Sequence, residues 1–291
     1  MPELPEVETV RRGLNSLIIG KTVREAKSDT PKSFPNAPKD VAEFLVGAQI
    51  TAVRRRAKVL LIDLSSDYTL VIHLKMTGQL VFVGDTRFGA GHPSDSLIDE
   101  LPDRSTRVTI VFTDGSTLYF NDQRKFGWVR LLPTVEVPMI DFMKKVGPEP
   151  LDADFTLEQF KDRFTRRART SIKAAVLDQS VVAGVGNIYA DESLWGAKIH
   201  PARLVQTVTD LEWSELYTEL RAVMNLAIEK GGSSNHTYVN AEGKKGSYMN
   251  FARVFRREGL ACPRCGETII KLRVAGRGTH ICPREQVILE K

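Results

Sequence analysis

The chain has 291 residues, enough for two modest domains with a hydrophobic core each, and 42% of the residues are hydrophobic. No apolar run reaches the roughly 18 residues that a membrane-spanning helix needs, and the acidic opening MPELPEVETV differs from a secretory signal. These features exclude a membrane protein and predict a cytoplasmic one, whereas the formal net charge of +5 excludes little by itself.

Basic residues are concentrated in the C-terminal half of the chain. The segment from Lys244 to Arg284 contains ten Lys or Arg residues and two acids, and the segment from Lys161 to Lys173 contains six Lys or Arg residues and one acid. Two such segments predict a polyanionic partner. The alternative is that they form the solvated faces of ordinary helices, and charge alone does not decide between the two.

Residues 1–135 are predicted to form a β-sandwich or barrel with a helix over 6–18. Regularly spaced β-rich runs separated by turns favour this architecture. The runs cover 49–56, 59–64, 69–74, 79–83, 107–113 and 117–121. Residues 84–104, rich in Gly, Pro, Asp and Ser, predict a long mobile loop, and four prolines between 133 and 150 predict a domain linker over 136–154.

Residues 155–232 are predicted to form a helical domain. Thr156 with Gln159, and Thr209 with Glu212, have the spacing of capping boxes, which satisfy free N–H groups in the first turn of a helix. Helices are expected from 156 to about 167, at about 171–179, at 188–196 with Asn187 as N-cap, and from 209 to Gly231-Gly232. The predicted fold class is therefore α+β.

A turn with Gly184 and Gly186 joins two of these helices. Glycines at a helix N-terminus expose backbone N–H groups, which bind a phosphate together with the helix dipole. A glycine-rich turn more often serves the turn alone, but this one lies between the two basic segments. Asn187 at the turn and Arg169 in the preceding basic segment are therefore candidate contacts to nucleic acid.

The last 30 residues carry the three cysteines of the chain, in the pattern Cys262-x2-Cys265-x16-Cys282-x2-Glu285. This spacing is typical of a zinc hairpin in which two turns each offer two ligands, and a carboxylate can ligate zinc like a thiolate. We predict one structural zinc held by these four residues, with His280 as a weaker candidate. Strands at about 268–274 and 279–282 should flank a turn at 275–278. The alternative is a metal-free hairpin with three buried thiols.

The N-terminus offers a candidate nucleophile. Removal of Met1 would leave the amine of Pro2 as the chain terminus, and an α-amino group has a pKa of about 7.7–8.0 against about 10.4 for lysine. Roughly a tenth of such an amine is free base at pH 7, so it can attack a sugar C1′ and form an iminium intermediate. Glu3 and Glu6 are candidate acid/base partners. An N-terminal Pro-Glu pair is weak support by itself.

Three further segments offer side chains that loops could present to DNA. They are the basic run from Arg54 to Lys58, His73-x2-Met76, and Asp122-Gln-Arg-Lys-Phe-Gly127. Apolar wedges unstack base pairs, and an arginine can fill the gap left by an extruded nucleotide. Met76, Arg124 and Phe126 fit these roles, although each is also compatible with ordinary packing.

Taken in order, these motifs closely resemble the bacterial formamidopyrimidine-DNA glycosylases over essentially the whole chain. The resemblance rests on Met1-Pro-Glu-Leu-Pro-Glu-Val-Glu-Thr-Val-Arg-Arg-Gly13, Arg55-Arg-Ala-Lys58, His73-Leu-Lys-Met76-Thr-Gly78, Asp122-Gln-Arg-Lys-Phe-Gly127, Gly147-Pro-Glu-Pro-Leu151, Gly184-Val-Gly-Asn-Ile-Tyr-Ala-Asp-Glu192 and Gly276-Arg-Gly-Thr-His280. It implies a catalytic N-terminal β-sandwich, a helix–two turns–helix DNA-binding domain over 155–232, and a lesion-recognition loop with a zinc-finger-like hairpin over 233–291. A monomer is expected.

The resemblance also implies an activity on damaged double-stranded DNA. Oxidised purines, such as 8-oxoguanine and formamidopyrimidines opposite cytosine, would be removed and the abasic site cleaved by β- and δ-elimination. Pro2 would form the Schiff base, Glu3 would donate the proton for base release, Lys58 would serve β-elimination and Arg277 δ-elimination.

The remaining implied roles concern DNA contacts. Met76, Arg124 and Phe126 would fill the gap in the helix, Asn187 would hold phosphate, and residues 233–253 would cover the flipped base. His73 is a further candidate contact.

The chain departs from the family pattern in two places. Glu285 stands where the family has the fourth zinc cysteine. Arg104-Ser-Thr-Arg107 stands where many members have a Lys-His-x-His stretch, so a histidine contact to phosphate does not carry over and Arg107 is the candidate replacement.

Two other functions are compatible with parts of the sequence. An endonuclease VIII-like enzyme for oxidised pyrimidines would begin Pro-Glu-Gly-Pro-Glu, whereas Leu4 here favours the purine branch. A catalytically silent DNA-damage-binding protein would keep the helical domain with an incomplete finger.

Overall fold

The computed structural model of the chain describes residues 2–233 and 248–288, and these divide into two compact units. The first unit comprises residues 1–144 and 227–248, and the second comprises 145–226 and 249–291. In the part of the chain that the structure describes, no helix is long and apolar enough to cross a membrane.

The first unit opens with helix α1 (Leu4–Ile18), which begins two residues earlier in the sequence than the pattern predicted. Glu3 is its N-cap and forms a capping box with Glu6, and a proline occupies its first turn, where no N–H is needed. Its buried face carries Leu4, Val7, Val10, Leu14 and Ile18 at helical spacing.

Two antiparallel sheets complete this unit. Their strands are β1 (Val23–Ser28), β2 (Ile50–Arg56), β3 (Val59–Leu64), β4 (Tyr68–His73), β5 (Gly78–Val83), β6 (Arg87–Gly91), β7 (Thr106–Phe112), β8 (Thr117–Asp122) and β9 (Trp128–Pro133). One sheet has the order β1-β7-β8-β5-β6 and the other β2-β3-β4-β9. Both sheets and α1 contribute to one hydrophobic core, which confirms the predicted N-terminal β-sandwich.

The segment 84–104, predicted as a long loop, contains strand β6 and a 3₁₀ turn at Asp95–Leu97, so that prediction was wrong. Its glycines obscured the strand pattern. Gly91 has φ +124°, and a Cβ there would lie 2.5 Å from the carbonyl oxygen of Gly78. Close backbone approach therefore requires the glycine that made the segment look like a loop.

Three other elements of this unit were not predicted. Strands β1 and β9 are sheet members, and α2 (Pro38–Phe44) follows β1. The proline-rich stretch after β9 is also structured, with a 3₁₀ turn at Thr134–Met139 and helix α3 (Asp141–Lys145).

The second unit contains helices α4 (Leu157–Thr165), α5 (Ile172–Leu177) and α6 (Asn187–Gly196), with part of the long helix α7 (Asp210–Glu229). Both predicted capping boxes are confirmed: Thr156 and Gln159 cap α4, and Thr209 and Glu212 exchange backbone-to-side-chain bonds at the start of α7. Phe160 and Phe164 of α4 pack on Trp213 of α7, with ring centroids 5.9 and 4.9 Å away.

The second unit ends in the hairpin β10 (Ile270–Val274) and β11 (Arg277–Ile281). Val274 pairs with Arg277, so only Ala275 and Gly276 form the turn, both at positive φ. The turn is therefore shorter than the predicted 275–278, as expected for a two-residue turn of the type that matches strand twist.

Gly13 sets the distance between α1 and β6. A Cβ at Gly13 would lie 2.1 Å from Cζ of Phe88, a buried core residue. We expect Gly13→Ala to destabilise the first unit, because overpacking costs about 1–3 kcal/mol and outweighs the gain of roughly 1 kcal/mol in helix propensity. Urea titrations of Gly13→Ala, Phe88→Leu and the double variant measure this. Gly13→Ala should be harmless in the Phe88→Leu background, and equal costs in both backgrounds would contradict the account.

Candidate functional site

The start of the chain is fixed by the carboxylate of Glu6. Its Oε2 accepts the backbone N–H of Glu3 at 2.8 Å, and its Oε1 accepts the N–H of Ser233 at 2.8 Å. Pro2, Glu3 and Glu6 are all buried. Both Glu6 oxygens thus hold backbone groups next to the first residues, and the side chain of Glu3 accepts the N–H of Glu6 in the capping box.

Lys58 lies in the two-residue turn between β2 and β3, where Arg56 pairs with Val59. Ala57, the other turn residue, has φ +53°, a conformation that non-glycine residues seldom adopt. Arg55 holds this turn by donating from Nη1 to the Ala57 carbonyl at 2.9 Å and from Nε to Glu8 of α1 at 3.2 Å. The turn that carries buried Lys58 is thereby tied to the helix that begins beside Pro2.

His73 ends β4 and is neutral at physiological pH. Burial, together with the cations Lys75 and Lys58, lowers the pKa of His73 to about 3. Its Nδ1 accepts the N–H of Lys75 at 3.0 Å, so the proton of the neutral ring is on Nε2. His73 therefore helps to shape the turn that contains Met76.

Asp122 joins the turn that carries Met76 to the loop that carries Arg124 and Phe126. It accepts the hydroxyl of Thr77, and the N–H groups of Arg124 at 3.2 Å and Gly127 at 2.6 Å. Thr77 also accepts the Arg124 N–H at 3.1 Å. The sequence motif contained Asp122, but its organising role depends on contacts across 45 residues of chain and was not predicted.

The side chains that Asp122 organises reach the surface. Phe126 is 47% exposed, and the guanidinium carbon of Arg124 lies 4.8 Å from the centre of its ring. Met76 is partly exposed. A large apolar side chain that serves only the packing of the core is seldom left this exposed, and here hydrogen bonds hold its loop in place.

Arg107, the candidate replacement for a histidine contact to phosphate, is buried. It is 6% exposed, and its guanidinium donates to the carbonyl oxygens of Asp122 at 2.9 Å and Arg104 at 2.7 Å and to the carboxylate of Asp29. These bonds hold β7 to the loop before it, to the end of β8 and to Asp29 after β1, and the phosphate contact at Arg107 stays a prediction.

In the second unit, the turns between α5 and α6 are fixed by Gln179. Its amide oxygen accepts the N–H of Gly184 at 3.0 Å, and its amide nitrogen donates to the Val185 carbonyl at 2.8 Å. Gly186 is the N-cap of α6, and Asn187, the predicted cap, is its first residue. The amide of Asn187 instead donates to the carbonyl of Gly278 at 3.0 Å.

The basic candidates of this unit are exposed. Arg169 lies in the turn between α4 and α5, and Arg277 is the first residue of β11, next to the hairpin turn. Asn187 and the strand of Arg277 are joined by the Asn187–Gly278 bond, so α6 and the hairpin present polar groups side by side. The segment 233–253, predicted to cover a flipped base, includes residues 234–247, which lie outside the described residues.

The three cysteines form a cluster that fits a zinc ion. Their Sγ atoms all lie within 4.8 Å of one another, and Cys265 and Cys282 are 3.4 Å apart. Tetrahedral zinc with Zn–S bonds of about 2.3 Å requires sulfur atoms roughly 3.8 Å apart, so small adjustments of the thiols would accommodate the ion.

Glu285 lies beside this cluster, with its carboxylate bonded to Arg264. Nη1 of Arg264 donates to Oε2 of Glu285 at 2.8 Å. Arg264 also stacks on the ring of Trp195, 4.0 Å from its centre, and donates to the Gly196 carbonyl at 3.2 Å. A cation thus anchors Glu285, the predicted fourth ligand.

Three family models cover most of the chain. Residues 1–129 match the formamidopyrimidine-DNA glycosylase N-terminal domain, 146–239 match its H2TH domain, and 259–284 match the zinc finger found in FPG and IleRS. The formamidopyrimidine-DNA glycosylase of Pediococcus pentosaceus is 44% identical, over 99% of this chain and all of its own length. That of Streptococcus pneumoniae is 41% identical, over 98% of this chain and 99% of its own length.

This chain belongs to the formamidopyrimidine-DNA glycosylase family. A solved structure of the Lactococcus lactis enzyme with DNA that contains an abasic site superposes with a TM-score of 0.86 at 34% identity, over 98% of this chain and 99% of that one. A second, with DNA that contains N7-benzyl-Fapy-dG, gives 0.85 at 34% identity over the same shares. Membership confirms the predicted family and fold, and the matched zinc finger with its three clustered thiols supports a structural zinc ion.

The buried state of His73 predicts a pH effect on stability. Between about pH 6.5 and pH 3 the unfolded chain binds a proton at this ring that the folded chain does not, so stability falls as the pH is lowered through that range. His73→Gln should reduce the pH dependence of the unfolding free energy there, by at most about 1.4 kcal/mol per pH unit. Urea titrations at several pH values measure the slope. An identical slope in the wild type and the variant would contradict burial of the neutral ring.

Proposed function

We propose that this chain is a base-excision repair DNA glycosylase that removes oxidised purines, such as 8-oxoguanine and formamidopyrimidines, from duplex DNA and cleaves the resulting abasic site. The observation that carries the proposal is the buried carboxylate of Glu6, which accepts two backbone hydrogen bonds. It holds the segment Pro2–Glu3 in place at the start of α1. The relatives named as formamidopyrimidine-DNA glycosylases support the same activity.

Pro2 is the nucleophile in this proposal. With Met1 removed, its secondary amine attacks C1′ of the damaged nucleotide, the bond from C1′ to the base breaks, and the amine loses its proton. The sugar ring then opens at the bond from C1′ to O4′, O4′ takes up a proton, and the iminium forms between C1′ and the Pro2 nitrogen. The positive end of the α1 dipole lies next to Pro2 and disfavours a charged amine, which favours the reactive free base. Glu3, buried beside it, donates the proton that the departing base needs.

Lys58 and Arg277 serve the two strand-cleaving steps. The turn of Lys58 is held to α1 by Arg55, and the amine of Lys58 takes part in β-elimination. Arg277 projects from the hairpin of the finger. It assists δ-elimination, which releases the phosphate that β-elimination leaves on the sugar. Glu6 positions the chain start instead of acting as an acid.

Contacts to DNA come from both units in this proposal. Phe126, Arg124 and Met76 fill the space left by the extruded nucleotide, since apolar wedges and arginines stabilise an opened stack. Asn187, Arg169 and the N–H groups at the start of α6 hold phosphate. His73 acts through the Met76 turn. The protein works as a monomer in the bacterial cytoplasm, at the nucleoid.

Zinc holds the two knuckles of the finger together in this proposal. Cys262, Cys265 and Cys282 would be three ligands and Glu285 the fourth, while Arg264 donates to Oε2 of Glu285. A ligating carboxylate that also accepts a hydrogen bond is a common arrangement at metal sites. The ion has a structural role, and the chemistry of base removal is left to the side chains above.

Borohydride trapping tests the activity. Protein with a free Pro2 amine, mixed with duplex DNA that contains 8-oxoguanine opposite cytosine, should form a covalent adduct, because reduction captures the iminium. A Pro2→Gly variant with an N-terminal extension should form none. DNA with an oxidised pyrimidine is the matched control and should give a weaker signal. Lesion binding without any adduct would show a silent binder, and a stronger pyrimidine signal would favour the endonuclease VIII-like activity.

Metal analysis tests the finger. Protein purified without chelators should contain about one zinc per chain, and competition with a chromophoric chelator should show that Glu285→Gln weakens zinc binding at least about tenfold. Glu267→Gln is the control, since this acid lies in the finger and its carboxylate accepts the N–H of Thr268 at 2.9 Å. Zinc-free protein would contradict the site. Equal affinities in the two variants would remove Glu285 from the ligand set.

A further inference from the structure

A fully buried ion pair joins α5, α6 and β11. Lys173 of α5 and Asp191 of α6 are both 0% exposed, and Nζ of Lys173 donates to Oδ1 of Asp191 at 2.6 Å. The same ammonium donates to Oγ1 of Thr279 at 2.6 Å and to the Gly278 carbonyl at 3.4 Å. Lys173 therefore bonds two successive residues of β11.

The other oxygen of Asp191 holds the next residue of the strand. Its Oδ2 accepts the N–H of His280 at 2.9 Å and lies 3.3 Å from Nδ1 of the same residue. The pair thus bonds Gly278, Thr279 and His280, the three residues that directly follow Arg277. Burying two charges is costly unless they are paired and hydrogen-bonded, and here both conditions are met.

The neighbouring acid of α6 holds the chain that leads into the finger. Glu192 is also fully buried, and its carboxylate accepts the N–H groups of Arg253 at 2.9 Å, Val254 at 2.9 Å and Phe255 at 2.8 Å. The ring of Phe255 packs on His280, with centroids 5.1 Å apart. Two consecutive carboxylates of α6 therefore hold the segment that leads into the finger and strand β11.

These bonds are directional, unlike the apolar contacts of the finger. Hydrophobic packing tolerates a small slide of a strand along a helix, whereas bonds to successive backbone groups specify one register. The thiol cluster lies beyond the other end of β11, at Cys282, so it fixes the base of the hairpin while the ion pair fixes the part next to Arg277.

We propose that the Lys173–Asp191 pair is a positioning element for Arg277. It sets the register of β11 on α6, and the place of Arg277 therefore depends on this pair more than on the metal cluster. The inference rests on the proposed function, because it concerns the arginine assigned to δ-elimination.

The test compares cleavage products on duplex DNA that contains an abasic site. Asp191→Asn and the paired variant Lys173→Gln/Asp191→Asn should form the borohydride adduct within about twofold of the wild type, since Pro2 is unaltered. The ratio of δ- to β-elimination product should fall at least about tenfold, because a misplacement of about 1 Å can cost a hundredfold in rate. The paired variant removes both charges and guards against misfolding from a single buried charge.

Arg203→Gln/Glu212→Gln is the matched control. It also removes a partly buried ion pair of the second unit, in which Nη2 of Arg203 donates to Oε2 of Glu212 at 3.0 Å. Within the described residues, the hydrogen bonds of these two side chains go to Thr207, Thr209 and each other and not to the hairpin, so the product ratio of this variant should equal that of the wild type. If trapping and δ-elimination fall together in the Lys173/Asp191 variants, the pair is only structural and the proposal is overturned.

Amide hydrogen exchange gives a readout independent of activity. The His280 amide should stay protected after zinc is removed from the wild-type protein by a chelator, and should lose most of its protection in the paired variant that retains zinc. The opposite pattern would overturn the proposal. A wild type that never traps would refute the proposed function, whereas normal trapping with an unchanged product ratio in the variants would refute this inference alone.

Discussion

A chain terminus can act as a nucleophile only if it is held still, and the ends of most chains are poorly ordered. Here Glu6 meets that constraint with two bonds of 2.8 Å, one to the N–H of Glu3 and one to that of Ser233. The bonds are effective because Glu6 belongs to α1, whose apolar face is buried in the sandwich core. The chemistry proposed for Pro2 therefore depends on the packing of the whole first unit.

Buried carboxylates that accept backbone N–H groups occur at other places in the chain as well. Asp122 accepts the N–H groups of Arg124 and Gly127 in the first unit, and Asp191 and Glu192 accept backbone N–H groups of the finger in the second. Burial of a carboxylate is tolerated when several donors satisfy it, and such an acid then fixes the loop that supplies them. Each of these acids holds a segment with a proposed functional side chain, or one that leads to it.

Features set by local spacing could be predicted from the sequence. The capping box of Thr156 with Gln159 and the Cys262–Cys265 knuckle each depend on residues three apart, and both are formed. Features set by distant contacts could not. The burial of Arg107 depends on Asp29, 78 residues away, and the side chain of Asn187 turns to Gly278 instead of capping its helix. Strand β6 was not predicted, because its glycines, which allow close backbone packing, made the segment resemble a loop.

Peptide mapping of the reduced covalent complex tests the central claim most directly. After borohydride reduction on lesion-containing DNA and digestion with protease and nuclease, mass spectrometry locates the residue that carries the sugar remnant. We predict that it lies on the N-terminal peptide, on the nitrogen of Pro2. A remnant on Lys58 or any other lysine would contradict the assignment of the chain terminus as nucleophile.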